Sequence, residues 1–163
     1  TFFLIGARAR PRPHLVARIR AEGHEVAHHH VANGTTVFQP MAAFEERFVA
    51  TERILGLDRA PRRFFRPPGG LIRPDHARFV RARGYTIALG SAHPYDPSRP
   101  PVAYMRWLVA KNLEPGAIVV LHDGAGNRER LVAVVPEILE EGRKRGLRWV
   151  TLSELVSAAD PLP

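Results

Sequence analysis

Short apolar runs alternate along the chain with longer segments whose apolar positions recur every third or fourth residue. Residues 1–5 (TFFLI) predict a strand. Residues 13–22 predict a helix with Leu15, Val16 and Ile19 on one face and Gly23 as its C-terminal cap. Residues 24–29 (HEVAHH) predict a second strand. Residues 41–56 predict a helix carrying Phe44, Phe48, Ile54 and Leu55 on one side and stopping at Gly56. Residues 63–70 (RFFRPPGG) read as a strand running into a turn, because Pro67 and Pro68 cannot donate to a ladder. Pro74 opens a helix that ends at Gly84. A fourth strand covers 85–91 (YTIALGS), and a helix covers 102–113. Residues 117–124 (AIVVLHDG) form a continuous apolar run with a polar end, as a buried parallel strand does. A helix over 128–146 is expected to kink or restart at Pro136, and residues 148–156 (RWVTLSELV) close the chain.

This alternation argues for a parallel sheet with helical crossovers, either an open doubly wound sheet or a (β/α) barrel. In both, chemistry gathers in the loops after the strands. Those loops are rich in reactive side chains: His28, His29, His30 and Asn33 after the second strand, Arg66 after the third, His93, Tyr95 and Asp96 after the fourth, and His122 and Asp123 after the fifth. The expectation is that they share one rim.

The stretch 23–34 (GHEVAHHHVANG) contains an HExxH string, His24–Glu25–His28. In zinc proteases both histidines sit one helical turn apart, with the glutamate as base. Here Gly23 ends one helix and a strand follows. In a strand, residues four apart lie about 13 Å from each other, too far for one ion. His29 and Asn33 offer a different pairing. Alternation sends His29 to the face opposite His28 and His30, and a turn in the 32–36 loop (ANGTT) could fold the Asn33 amide oxygen back toward it. The bland alternative is that these histidines end a strand and hydrogen-bond water.

Composition sets the outer bounds. With 163 residues, 45% of them apolar, the chain can bury one core. No cysteine is present, which excludes disulfides and thiolate metal sites. No apolar run approaches membrane-spanning length. The formal charge of +8 is almost all arginine, since lysine occurs only at 111 and 144. These arginines are dispersed along helices without interleaved aromatics, so no nucleic-acid partner is expected. The chain opens on a strand without an initiator Met, which reads as entry part-way through a domain. Any export signal would precede residue 1, so the compartment stays open.

Taken together, the strand-end residues resemble the NodB-homology domain of polysaccharide deacetylases, carbohydrate esterase family 4. TFFLIG is similar to that family's second strand. GHEVAHHHVANG resembles its GHE-[IV]-x-x-H-x-x-x-H metal segment, FFRPPGG its R-x-P-x-G segment and IVVLHDG its L-H-D segment. GSAHPYDP is similar to a G-S-x-Y-P-x-D loop that replaces D-x-x-D-W in one branch. The resemblance reaches to about Val156. It implies one domain over 1–163, an α/β distorted (β/α) barrel lacking its first strand. It implies metal-dependent hydrolysis of acetyl groups from an N-acetylated or O-acetylated polysaccharide, with a divalent metal, zinc above all. By position, His29 matches the first metal histidine and Asn33 stands where most members carry the second. Arg66 matches the arginine that orients the catalytic carboxylate, and His122 the general acid. Asp96 is the candidate acidic partner of that histidine, since a carboxylate favours the protonated ring. Pro68, Gly70, Tyr95 and Asp123 would shape the sugar groove.

Two departures from the family pattern matter. The family's upstream T-F-D-D-G strand, source of a general base and a metal ligand, is not in this sequence, and Asn33 carries no charge. These residues alone are therefore expected to bind metal weakly and to be inactive, with deacetylation belonging to the full-length protein. A non-catalytic glycan-binding relative is the alternative that the same departures keep open.

Overall fold

The computed structural model describes residues 1–124 and 129–159. These fall into two compact units, one comprising Thr1–Leu89 with the segment from Thr151 onward, the other Gly90–Val150. Each is described on its own.

The first unit is built on a four-stranded parallel sheet in the order β1 (Phe2–Leu4), β2 (Val26–His28), β3 (Arg63–Phe65), β4 (Tyr85–Ile87). Sequential neighbours in parallel register require a crossover between each pair. The crossovers carry α1 (Gly6–Ala9) and α2 (Pro13–Ala21), then α3 (Met41–Leu55), then α4 (Pro74–Ala82). Phe2 pairs with Val26, His28 with Phe65 and Phe65 with Ile87. α7 (Leu152–Ala159) also belongs to this unit.

Helical spacing explains the core. Phe44, Phe48 and Leu55 lie on one face of α3 and are fully buried with Phe65 and Val80. Gly56 ends α3 in the left-handed conformation at φ 58°, the cap that glycine adopts without penalty. The helix α1 was not expected from the sequence. It is one turn long, and Gly6 permits it, because a β-carbon there would overlap Thr51 of α3.

The second unit holds α5 (Val102–Lys111) and α6 (Glu129–Lys144). Met105 and Val109 of α5 pack on Leu131, Val134 and Ile138 of α6. Two expectations need correction here. The run 117–124 forms no strand but a single parallel bridge, Ala92 to Val119. There the Ile118 carbonyl accepts both the Ser91 and Ala92 N–H groups, at 3.0 and 3.2 Å. The helix α6 also does not restart at Pro136 but continues through it. Pro136 and Val132, whose carbonyl Pro136 leaves without its helical donor, are both exposed, so water can satisfy that group. The expected start at Arg128 lies outside the described residues. Among the described residues no helix is long and apolar enough to cross a membrane.

Two buried polar groups fix the interior of the first unit. Glu52 of α3 is 2% exposed. It accepts hydrogen bonds from Arg83 and from the Tyr85 hydroxyl at 3.0 Å, with Arg63 at 3.7 Å. Removing its charge by Glu52→Gln would leave Arg83 and Arg63 without a counter-ion. Both arginines are partly hydrated, so the expected loss is about 2–3 kcal/mol of unfolding free energy, below the full cost of a dry broken pair. Urea denaturation measures it.

His28 is the second. Its Nε2–H donates to the Phe48 carbonyl at 3.0 Å, its Nδ1 accepts the His30 N–H at 3.0 Å, and its ring stacks on Phe48 at 3.9 Å. Burial pushes the pKa of His28 down to about 3 and that of His30 to about 4. Both are therefore neutral in the native state, while the unfolded chain takes up protons near pH 6.5. Stability is present above that pH and declines as pH falls toward the native values, by about 1.4 kcal/mol per pH unit for each histidine. In His28→Asn the slope of unfolding free energy between pH 6 and pH 4 should fall by about that amount, as read by denaturant titrations across the range.

Candidate active site

In the first unit, His24 and Glu25 precede β2, and no helix spans 24–28, so HExxH lacks the scaffold that a zinc protease needs. Glu25 has a different task. Its carboxylate accepts the Leu152 and Ser153 N–H groups at 3.1 and 3.4 Å, the Thr1 hydroxyl at 2.7 Å and the Ser153 hydroxyl. It thus caps the start of α7, where N–H groups lack helical partners.

His29 follows the last residue of β2, and Arg66 follows the last residue of β3. The ladder continues past both: His29 N–H donates to the Leu4 carbonyl and Arg66 N–H to the His28 carbonyl, each at 3.0 Å. His28 and His30 point into the core, and His29 is half-buried, as alternation requires. Its Nδ1–H donates to the Arg66 carbonyl at 2.7 Å. A carbonyl can only accept, so the remaining lone pair lies on Nε2, the tautomer and second-shell bond typical of a metal-binding histidine.

The guanidinium of Arg66 lies 4.0 Å from the ring centre of Phe3, and its Nε–H donates to the Ala88 carbonyl at 3.1 Å. Burial lowers its pKa to about 10. Among the described residues Arg66 makes no ion pair. Asn33 is exposed in the loop after β2. Pro68 is buried in a 3₁₀ turn, and Gly70 ends it at φ 73°.

One histidine and one neutral amide make an incomplete donor set. Among the described residues no His/Cys/Asp/Glu trio gathers around His29. His29 suits a metal ligand, but the described residues beside it do not form a site by themselves.

In the second unit, Asp96 opens a 3₁₀ turn flanked by Tyr95 and Arg99, both left-handed at φ 56° and 53°. The non-glycine residues in this region mark a locally imposed geometry. The turn buries Asp96 to 4% exposure. Its Oδ2 accepts the His122 backbone N–H at 2.9 Å and its Oδ1 meets His122 Nδ1 at 2.9 Å. An ionised carboxylate can only accept, so Nδ1 carries the proton and the neutral ring keeps its lone pair on Nε2. The Ala92–Val119 bridge sets the two segments side by side just before these residues. Tyr95 is exposed and packs edge-on against His93 at 4.9 Å. His93 lies perpendicular to His122 with ring centres 5.2 Å apart. Asp123 is exposed.

Arg66 thus joins His29, and Asp96 joins His122 and His93. Sequence reasoning gave no role to Phe3 or to His93. The i, i+3 spacing of His93 and Asp96 was the available signal for the second, and nothing in the sequence pointed to the first.

Residues 1–88 match the polysaccharide deacetylase family. A peptidoglycan-N-acetylglucosamine deacetylase of Bacillus cereus is 35% identical over 158 residues, covering 96% of this chain and 74% of the relative. A chitooligosaccharide deacetylase of Sinorhizobium fredii is 32% identical, covering 90% and 74%. A solved peptidoglycan N-acetylglucosamine deacetylase bound to 4-naphthalen-1-yl-N-oxidanyl-benzamide superposes with a TM-score of 0.88 at 26% identity, over 94% of this chain and 73% of that one. The chain belongs to the polysaccharide deacetylase family, and its α/β fold with a parallel sheet is of that type.

The double bond from Asp96 to His122 should be visible in stability. Asp96→Ala leaves the His122 N–H without its acceptor and should cost about 1–3 kcal/mol, measured by chemical denaturation.

Proposed function

We propose that this protein hydrolyses the N-acetyl group of N-acetylglucosamine units in a polysaccharide or oligosaccharide, releasing acetate. The single observation that carries this reading is the Asp96–His122 pair. Family membership supplies the reaction class, and the relatives' substrates supply the sugar.

Acetamide hydrolysis needs a proton at the leaving nitrogen, because an amide anion is too poor a leaving group to depart. Protonated His122 holds that proton at Nε2 while Asp96 fixes the ring through Nδ1 and stabilises its positive form. The Asp96 carboxylate is itself held by the His122 backbone N–H, so ring and acid move as one piece. Arg66 has the role of orienting an acidic group. Its charge is held on the Phe3 face and its Nε is spent on Ala88, which leaves the two terminal nitrogens to present the bidentate fork that suits a carboxylate. His29 is the residue through which a divalent metal, zinc above all, is held, and Asn33 is a weak neutral companion to it. When bound, such an ion polarises the acetyl carbonyl and activates water.

Acetate release tests the reading. The gene product is assayed with N-acetylated chitooligosaccharides, peptidoglycan and acetylxylan. N-acetylated substrates should release acetate, and His122→Ala should lower kcat by about 10²–10⁴-fold, the usual worth of a general acid. Full activity in His122→Ala, or acetate from acetylxylan alone, would overturn it.

A further inference from the structure

His93, Asp96 and His122 each offer a ligand atom, and these atoms all lie within 4.8 Å of one another. A proton-donating histidine needs one carboxylate, and Asp96 fills that place with both oxygens. It has no need of a second imidazole, yet His93 stands perpendicular to His122 at 5.2 Å, beside the same carboxylate. Two imidazoles and one carboxylate form a donor set for borderline metals of the zinc type rather than for magnesium or calcium. The spacing also suits an ion. The Asp96 Oδ1 and His122 Nδ1 are 2.9 Å apart, against about 3.3 Å for two donors at zinc bond length in a tetrahedron. The 3₁₀ turn, held by left-handed Tyr95 and Arg99, already fixes Asp96 in place, so little ordering is left to be done. The His122 side chain is 38% exposed, which leaves the trio open to solvent and a fourth position for water.

The geometry points to a regulatory metal site: His93, Asp96 and His122 bind a zinc-type divalent cation in place of the proton that His122 shares with Asp96. That proton leaves to solvent as the ion enters, because a coordinating nitrogen must give up its hydrogen. With zinc on Nδ1 the ring keeps only the weakly acidic Nε2–H of a neutral imidazole in place of the imidazolium proton, so excess zinc inhibits deacetylation. The inhibitory consequence rests on His122 as proton donor, as proposed above. The binding does not.

Calorimetry on the metal-stripped gene product, titrated with zinc chloride, tests the site directly. Zinc should bind this trio in the wild type and in His29→Ala alike. His93→Ala, with folding checked by circular dichroism, should weaken it by about tenfold or more, and His122→Ala should do the same. In the acetate assay, the zinc concentration that inhibits should rise by a similar factor in His93→Ala. Zinc binding that is absent, or lost in His29→Ala and unchanged in both His93→Ala and His122→Ala, overturns the proposal and leaves the proton-donor reading intact. Zinc held by the trio with acetate release undisturbed in His122→Ala establishes the site and removes the proton donor instead.

Discussion

Asp96 is a carboxylate almost without solvent, and its two oxygens are spent on one residue. Burial of that kind is tolerated only where hydrogen bonds replace lost water. Here one bond goes to the backbone of His122 and one to its ring. The first locks the segment, and the second locks the imidazole upon it. Much else in the second unit serves this pairing. The single bridge at Ala92–Val119 aligns the two loops, and the left-handed residues on either side of Asp96 turn it inward. The functional reading depends on it, because a histidine free to rotate donates a proton without preferred direction.

The first unit solves a related problem with three consecutive histidines. His28 and His30 face the core and stay neutral, acting as flat rings that stack on Phe48 and Phe44. His29 faces the other way and is oriented by a backbone carbonyl. The same residue type therefore serves packing at two positions and ligand geometry at the third. What separates the roles is the strand's two-residue period and the partner each ring nitrogen meets.

Most elements were legible in the sequence because each rests on a local cause. Phe44, Phe48 and Leu55 announced the face of α3, Gly56 announced its end, and Pro74 the start of α4. The rejection of HExxH as a protease motif also rested on local order: Gly23 closes α2, and a strand follows. The fifth strand misled because an apolar run looks alike whether it pairs along its length or only at one point. The restart expected at Pro136 did not occur because the penalty for a helical proline depends on whether water reaches the orphaned carbonyl, which is a tertiary fact. Glu25 as the cap of α7 joins residues more than a hundred positions apart, and the cation–π seat of Arg66 on Phe3 depends on two strands meeting β2 from opposite sides. Neither leaves a local trace. The family motifs named Asp96 and His122, yet the two-oxygen bond between them needed coordinates.

The tautomer of His122 is the most direct test of this account. Nitrogen-15 NMR of the imidazole rings in the neutral form distinguishes a protonated Nδ1 from a protonated Nε2. The account predicts that His122 carries its hydrogen on Nδ1, with a downfield proton signal that disappears in Asp96→Asn. A neutral His122 protonated on Nε2, with Nδ1 bare toward the carboxylate, would contradict it.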